Sequence, residues 1–114
     1  MLKPVLIIFN LFLWASSAQA FHLCTDIRAV VVRGAEMLIE GQEETAIDEM
    51  IAAKMQAHGH MDTPALRGAM LRQSLKMSRK ISDSDLRQMT AVNYFGDQFH
   101  TECTRNKIWS GIGH

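Results

Sequence analysis

The chain has 114 residues and balances 12 Lys and Arg against 12 Asp and Glu, so its formal charge at pH 7 is zero. A chain of this length forms one domain with one modest core. The neutral balance gives no electrostatic reason to expect nucleic acid or an anionic membrane as a general partner, and we expect no nucleic-acid partner.

The first 20 residues have the anatomy of a secretory signal peptide. Lys3 provides a positive charge, Val5 to Trp14 form an almost unbroken apolar run, and Ala18-Gln19-Ala20 is a small-x-small cleavage pattern. The apolar run is too short for a membrane anchor, which needs roughly twenty residues. We predict that residues 1–20 are removed as a signal peptide. Residues 21–114 then form a single periplasmic or secreted domain with no membrane span.

The two cysteines, Cys24 and Cys103, predict a disulfide bond. In an exported chain, two cysteines outside any C-x-x-C motif most simply form a structural bridge. Closing a loop of about 80 residues would stabilise the fold by roughly 4.5 kcal/mol in the chain-entropy model. The alternatives are a thiolate metal ligand and a catalytic nucleophile.

Glycine and proline divide the rest of the chain into four predicted helices, and no segment has the apolar-polar alternation of a half-buried strand. The first helix is predicted over 23–40, with apolar residues at three- and four-residue steps and a stop at Gly41. The second is predicted over 45–57, with Thr45 as its N-cap. Residues 58–62 are predicted to form a loop.

The third helix is predicted over 64–80, with Thr63 as N-cap, and the fourth over 83–109. Ser82 and Asp85 have the spacing of a capping box for the fourth helix. A buried seam is predicted along this helix at Leu86, Met89, Val92, Gly96, Phe99 and Cys103, with Gly96 marking close packing of another helix. Residues 110–114 have little to bury and are expected to fray.

These elements predict an all-α fold, a small four-helix antiparallel bundle closed by one disulfide. Because the two cysteines belong to the first and last helices, those helices must pack against each other.

One candidate metal site combines Met55, His58, His60 and Met61. Thioether and imidazole groups are ligands that Cu(I) accepts. The alternative is that Met55 fills the core, as methionine often does, and that His58-Gly59-His60 is a solvated loop. The favoured interpretation includes no cofactor.

A second candidate site is a stripe of basic residues on the third predicted helix, made of Arg72, Lys76, Arg79 and Lys80. Residues 36–49 carry six acids and no base. The segregated charge favours binding of an acidic protein or an anionic envelope component through the basic stripe. The alternative is that these are solvated helix faces that partly neutralise each other.

The aromatic residues Tyr94, Phe95 and Phe99 could grip a ligand, although aromatic residues at four-residue spacing beside a cysteine are more often core. No nucleophile elbow, zinc-protease motif, glycine-rich phosphate loop or EF-hand spacing is present in the sequence. We therefore expect a protein that is not an enzyme.

Three features of the chain form a recognisable plan. Cys24 opens the first predicted helix, Glu40-Gly41-Gln42-Glu43 follows as an acidic turn, and Phe95-x-x-x-Phe99-x-x-x-Cys103 closes the last helix. This plan resembles that of a loose group of small exported proteobacterial proteins of uncharacterised function. The resemblance implies an exported helical domain with one N-to-C-terminal disulfide, and it brings no known activity. The chain departs from that plan at His58-Gly59-His60 and Thr63-Pro64.

A fainter similarity is to the small helical acid-stress chaperones of the periplasm, which also carry one disulfide. The five histidines and 12 carboxylates give this chain a capacity to respond to acid, as they would give any protein.

Together these features lead us to expect a non-enzymatic binding or accessory protein of the bacterial envelope, a monomer or a weak homo-oligomer. The alternatives are a periplasmic copper- or metal-handling protein and an acid-stress chaperone.

Overall fold

The computed structural model describes residues 23–106, without the side chains of His60, Met61 and Asn106. The predicted signal peptide at 1–20 and the tail at 110–114 lie outside the described residues. Within them the chain forms α1 (Leu23–Ile39), α2 (Glu44–Met55), a short 3-10 helix (Gln56–Met61), α3 (Pro64–Asp83) and α4 (Gln88–Asn106), and no strand. The predicted all-α four-helix bundle is confirmed.

The four helices run up and down because the connections between them are short. The most extensive interface joins α1 and α3, and both α2 and α4 pack against this central pair. The predicted packing of the first helix against the last is therefore confirmed. The core lies between the helices and is built from their inward-facing apolar side chains. Its largest fully buried members are Ile27, Val31, Ile47, Ile51, Met55, Leu66, Met70 and Cys103.

The central helices approach each other most closely where Gly34 of α1 faces Ser74 of α3. Ser74 is fully buried, and its hydroxyl donates a 3.0 Å hydrogen bond to the carbonyl oxygen of Val31. A Cβ atom at Gly34 would collide with Ser74 Oγ and would lie 2.9 Å from Ser74 Cβ. The absence of a side chain at Gly34 therefore makes room for the Ser74 hydroxyl, and the hydroxyl is satisfied there by the backbone of α1.

The disulfide between Cys24 and Cys103 closes one end of the bundle. It joins the first turn of α1 to the last turns of α4, and the two Cα atoms are 5.8 Å apart. Because both sulfur atoms belong to this bridge, neither cysteine is a free thiol. The predicted disulfide is confirmed. A cysteine in a disulfide has no thiolate to bind a metal or to act as a nucleophile, so neither alternative fits this structure.

Gly41 ends α1, as predicted. Its φ is +91°, and the bonds from Gly41 N to Leu38 O and from Gln42 N to Met37 O, both 3.0 Å, form a Schellman motif. The predicted N-cap of α2 was wrong. The helix begins at Glu44 and is preceded by Glu43, which makes no side-chain cap bond. Helix α2 therefore starts soon after the Schellman motif, one residue before Thr45.

The predicted loop over 58–62 was wrong in part. Residues 56–61 form a 3-10 helix that continues from α2, interrupted at Gly59, where φ is +56°. Thr63 caps α3 as predicted, because its Oγ1 accepts a 3.2 Å hydrogen bond from the backbone N–H of Leu66.

The connection between α3 and α4 differs from the prediction. Helix α3 runs on to Asp83 and α4 begins only at Gln88, so Ser82 and Asp85 do not form a capping box. Instead Ser84 Oγ accepts a 3.0 Å hydrogen bond from the N–H of Leu86 in an extended turn.

The predicted burial of the first two residues of the seam, Leu86 and Met89, was also wrong. Leu86 is 48% exposed and Met89 is 78% exposed, whereas Phe99 and Cys103 are buried. Gly96 does mark close packing, since a Cβ there would lie 3.2 Å from Arg28 Nε of α1. Nearby, Arg28 Nη2 forms a 2.7 Å ion pair with Asp97 Oδ1.

Candidate functional site

The basic stripe lies on the solvent-facing side of α3. Its four side chains are all exposed, while the opposite side of the helix is buried in the core. The residues of the stripe are Arg72, Lys76, Arg79 and Lys80. Three- and four-residue spacing places them side by side on one helix face. The structure therefore brings together all four residues that were predicted from the sequence.

No residue of the basic stripe forms an ion pair within residues 23–106. The ion pairs in that part of the chain lie elsewhere and join Arg28 to Asp97, Arg33 to Glu40, and Arg67 to Asp62, while the ring of His58 lies near Asp26. Direct pairing between the acidic stretch at 36–49 and the basic stripe, the alternative raised by the sequence, is therefore not seen among the described residues.

A shallow groove between α3 and α4 runs beside the basic stripe. Its lining combines two lysines of the stripe, three apolar side chains, two amides and one carboxylate: Lys76, Lys80, Met77, Phe95, Phe99, Gln73, Gln98 and Glu102. The cavity volume is about 20 Å³, which is room for one water molecule. Sites for metabolites are typically about 300–1,000 Å³. The groove therefore suits a partner that lies across it rather than one enclosed within it.

The aromatic residues do not form a box. Phe99 is buried in the core, and Phe95 is half-buried in the groove. Tyr94 is 53% exposed and meets Phe95 edge to face, with ring centroids 5.1 Å apart. Lys80 Nζ lies 5.9 Å from the centroid of Phe95. The ammonium group of Lys80 thus lies over the ring of Phe95 at the edge of the groove.

The contribution of α4 to the groove was not predicted from the sequence. Phe95, Gln98, Phe99 and Glu102 follow one another at three- and four-residue steps, which is the signal of a single helix face. That signal was present, but it does not say which residues of α3 lie opposite.

The two described side chains of the candidate metal site, Met55 and His58, lie in different environments. Met55 is 2% exposed and belongs to the core, and His58 Nε2 lies 3.9 Å from Asp26 Oδ2 on α1. The side chains of His60 and Met61 lie outside the described part of the structure. Among the side chains that are described, no group of three or more His, Cys, Asp or Glu converges to hold a metal ion.

An ion pair between Asp62 and Arg67 joins the segment before α3 to the first turns of that helix. Arg67 Nε and Nη2 each donate a 2.5 Å hydrogen bond to one carboxylate oxygen of Asp62. These bonds hold the pKa of Asp62 below its ordinary value, although partial desolvation acts in the opposite direction. The same contact raises the pKa of Arg67. This pair anchors the 3-10 segment to α3 and leaves Arg67 engaged, so Arg67 is not part of the basic stripe.

We expect the Asp62→Asn variant to be less stable than the wild type at neutral pH and to lose that difference in acid. A lowered carboxyl pKa contributes stability above the unfolded value of about 3.9, and this contribution disappears as pH falls through the folded-state pKa. Urea unfolding followed by circular dichroism at pH 7, 4 and 2.5 measures the difference. The exposed Asp85→Asn variant is the control, and an equal pH dependence in both variants would contradict this assignment.

No helix of residues 23–106 is both long enough and apolar enough to cross a membrane. Comparisons with protein-family models, with curated proteins and with solved structures find no match for this chain.

Proposed function

We propose that this protein is an exported, non-enzymatic binding protein of the bacterial envelope that holds an anionic partner against its basic stripe. The observation that carries the proposal is the set of four exposed bases on α3, none of which pairs with a carboxylate within residues 23–106. Like charges at four-residue spacing, as at Arg72 and Lys76, destabilise a helix by about 0.2–0.5 kcal/mol per pair. A bound anion would relieve this repulsion.

Two features support the exported location. Residues 1–20 have the composition of a signal peptide. The disulfide between Cys24 and Cys103 is of a kind that persists in oxidising compartments such as the periplasm. The buried position of Met55 gives no support to metal handling through that residue.

The charge-reversal variant Lys76→Glu with Arg79→Glu tests the proposed function. We expect it to reduce capture of the anionic partner from an envelope extract at least about tenfold, which corresponds to about 1.4 kcal/mol. The wild-type bait is recovered with its disulfide intact from the periplasmic fraction, where export predicts a mature chain beginning at Phe21. Capture is quantified by mass spectrometry at two salt concentrations.

The matched control is Lys54→Glu with Arg105→Glu. It makes the same change in net charge at exposed positions of α2 and α4. We expect this control to capture the partner as the wild type does. Equal capture by all three proteins, or an equal loss in both variants, would contradict a role for the basic stripe.

A further inference from the structure

The groove offers an apolar contact next to the charges of the basic stripe. Phe95 is half-buried, with one face under Lys80 Nζ at 5.9 Å, and buried Met77 and Phe99 lie beside it. At 5.9 Å the Lys80 ammonium group lies near the outer limit of a cation–π contact, so a carboxylate that forms a charge-assisted hydrogen bond with it competes with the ring. A carboxylate that arrives at the groove would therefore draw Lys80 away and uncover Phe95.

We propose that the groove between α3 and α4 binds an acidic, amphipathic peptide segment of a partner protein. Carboxylates of the segment pair with Lys76 and Lys80, and an apolar side chain of the segment packs on the uncovered ring of Phe95. This inference rests on the proposed function, because it uses two residues of the basic stripe.

The spacing of the lysines defines the segment. Lys76 and Lys80 are four residues apart on α3, which separates them by about 6 Å along the helix axis. Carboxylates at i and i+4 of a bound helix have the same separation. An apolar residue on the adjacent stripe of that helix then faces the ring of Phe95. Amphipathic helices commonly bind in this way, with their apolar face in a groove of the partner.

The other residues of the groove favour a peptide over a continuous polyanion. Gln73 and Gln98 line the groove with amide groups that can donate to and accept from polar side chains of a bound peptide. Glu102 also lines the groove, on the turn of α4 that follows Gln98. Its carboxylate repels an anionic bilayer or a sulfated polysaccharide, whose negative charge would extend over the whole surface. A peptide can place its carboxylates at the lysines alone.

Fluorescence anisotropy with two synthetic 14-residue peptides tests this inference on the full, oxidised protein. One peptide is an amphipathic helix with glutamates at four-residue spacing and leucines on the adjacent stripe. The other has serine in place of every leucine. We expect the leucine peptide to bind at least about tenfold more tightly. In the NMR spectrum, the Lys80 ε-protons are expected to lose the ring-current shift of Phe95 when the leucine peptide binds.

Three variants locate the binding site. Lys80→Met keeps the aliphatic stem and is expected to weaken binding of the leucine peptide about tenfold. Phe95→Leu keeps most of the buried volume and is expected to reduce the preference for leucine over serine severalfold. The control Arg105→Gln, at an exposed position outside the groove lining, is expected to change neither quantity.

The outcomes separate this inference from the proposed function. Equal affinity for both peptides, or tighter binding to phosphatidylglycerol vesicles than to the leucine peptide, overturns the peptide groove. The proposed function stands in that case if the Lys76→Glu, Arg79→Glu variant still loses its captured partner. If that variant still binds both the leucine peptide and the captured partner as the wild type does, both proposals are overturned.

Discussion

Replacing both Cys24 and Cys103 by alanine is expected to lower the free energy of unfolding by about 4.5 kcal/mol. The bridge joins residues 79 positions apart, so in the unfolded chain it restricts nearly the whole described domain. A small domain has a net stability of only about 5–15 kcal/mol. We therefore expect the variant to be largely unfolded near 37 °C. Urea unfolding followed by circular dichroism measures the loss.

Two further measurements isolate the effect of the bridge from the loss of the side chains. Reducing the wild type should destabilise it by a similar amount, although its two sulfur atoms remain. The single variant Cys24→Ala should lose nearly as much as the double variant, because one cysteine alone makes no bridge. Alkylation of both thiols in the unreduced protein would show that the bridge is absent and would remove the prediction.

Gly34→Ala is expected to destabilise the protein by about 1–3 kcal/mol, the usual cost of overpacking a core. The new methyl group would collide with the hydroxyl of Ser74 and would also lie 3.2 Å from Ile47 Cγ2. Ser74 cannot move outward, because it is fully buried. The helices must separate or the hydrogen bond from Ser74 to Val31 must break. Denaturant unfolding of the variant measures the cost.

Gly68→Ala is the matched control for this substitution. Gly68 lies inside α3, and a Cβ there would meet only the end of the Arg72 side chain, at 3.5 Å. Alanine should therefore stabilise α3 by up to about 1 kcal/mol through its higher helix propensity. In the Ser74→Gly background, Gly34→Ala should cost less than in the wild type. Equal costs in both backgrounds would mean that the two residues do not share one contact.

Much of the fold could be predicted from the sequence because helix periodicity depends on local spacing. The apolar residues of α1, such as Ile27 and Val31, recur at helical steps and are buried where that pattern places them. Two local capping features were also predicted correctly. Gly41 ends α1 with a positive φ, and Thr63 caps α3 through its own hydroxyl.

The errors lie where local signals compete with tertiary packing. Ser82 and Asp85 resemble a capping box, but Ile81 is 5% exposed, and α3 continues past it to Asp83. The start of α4 therefore moves to Gln88, which leaves Leu86 in the turn before the helix. In the first turn of α4, Ala91 is fully buried and Met89 is exposed. Periodicity along one helix does not show which of its residues the neighbouring helices cover.

The candidate site likewise has one part that could be predicted from the sequence and one part that could not. The basic stripe belongs to one helix, so its four-residue spacing in the sequence was sufficient to predict it. The groove depends on the register between α3 and α4, which brings Lys80 to Phe95. No spacing within one helix specifies that register. It follows from the Cys24–Cys103 bridge and from packing on α1, both of which fix the height of α4 along the bundle.

The bridge also makes the described chain a covalent ring of four helices. Its α1–α2 turn at 40–43 is exposed, whereas Cys24 and Cys103 meet with their Cα atoms 5.8 Å apart. A circularly permuted chain could therefore be opened at Gln42 and joined by a short peptide where the sulfur atoms now meet, since exposed loop tips tolerate new termini. Such a permutant would exchange a redox-sensitive closure for a peptide linkage while keeping the order of the helices around the ring.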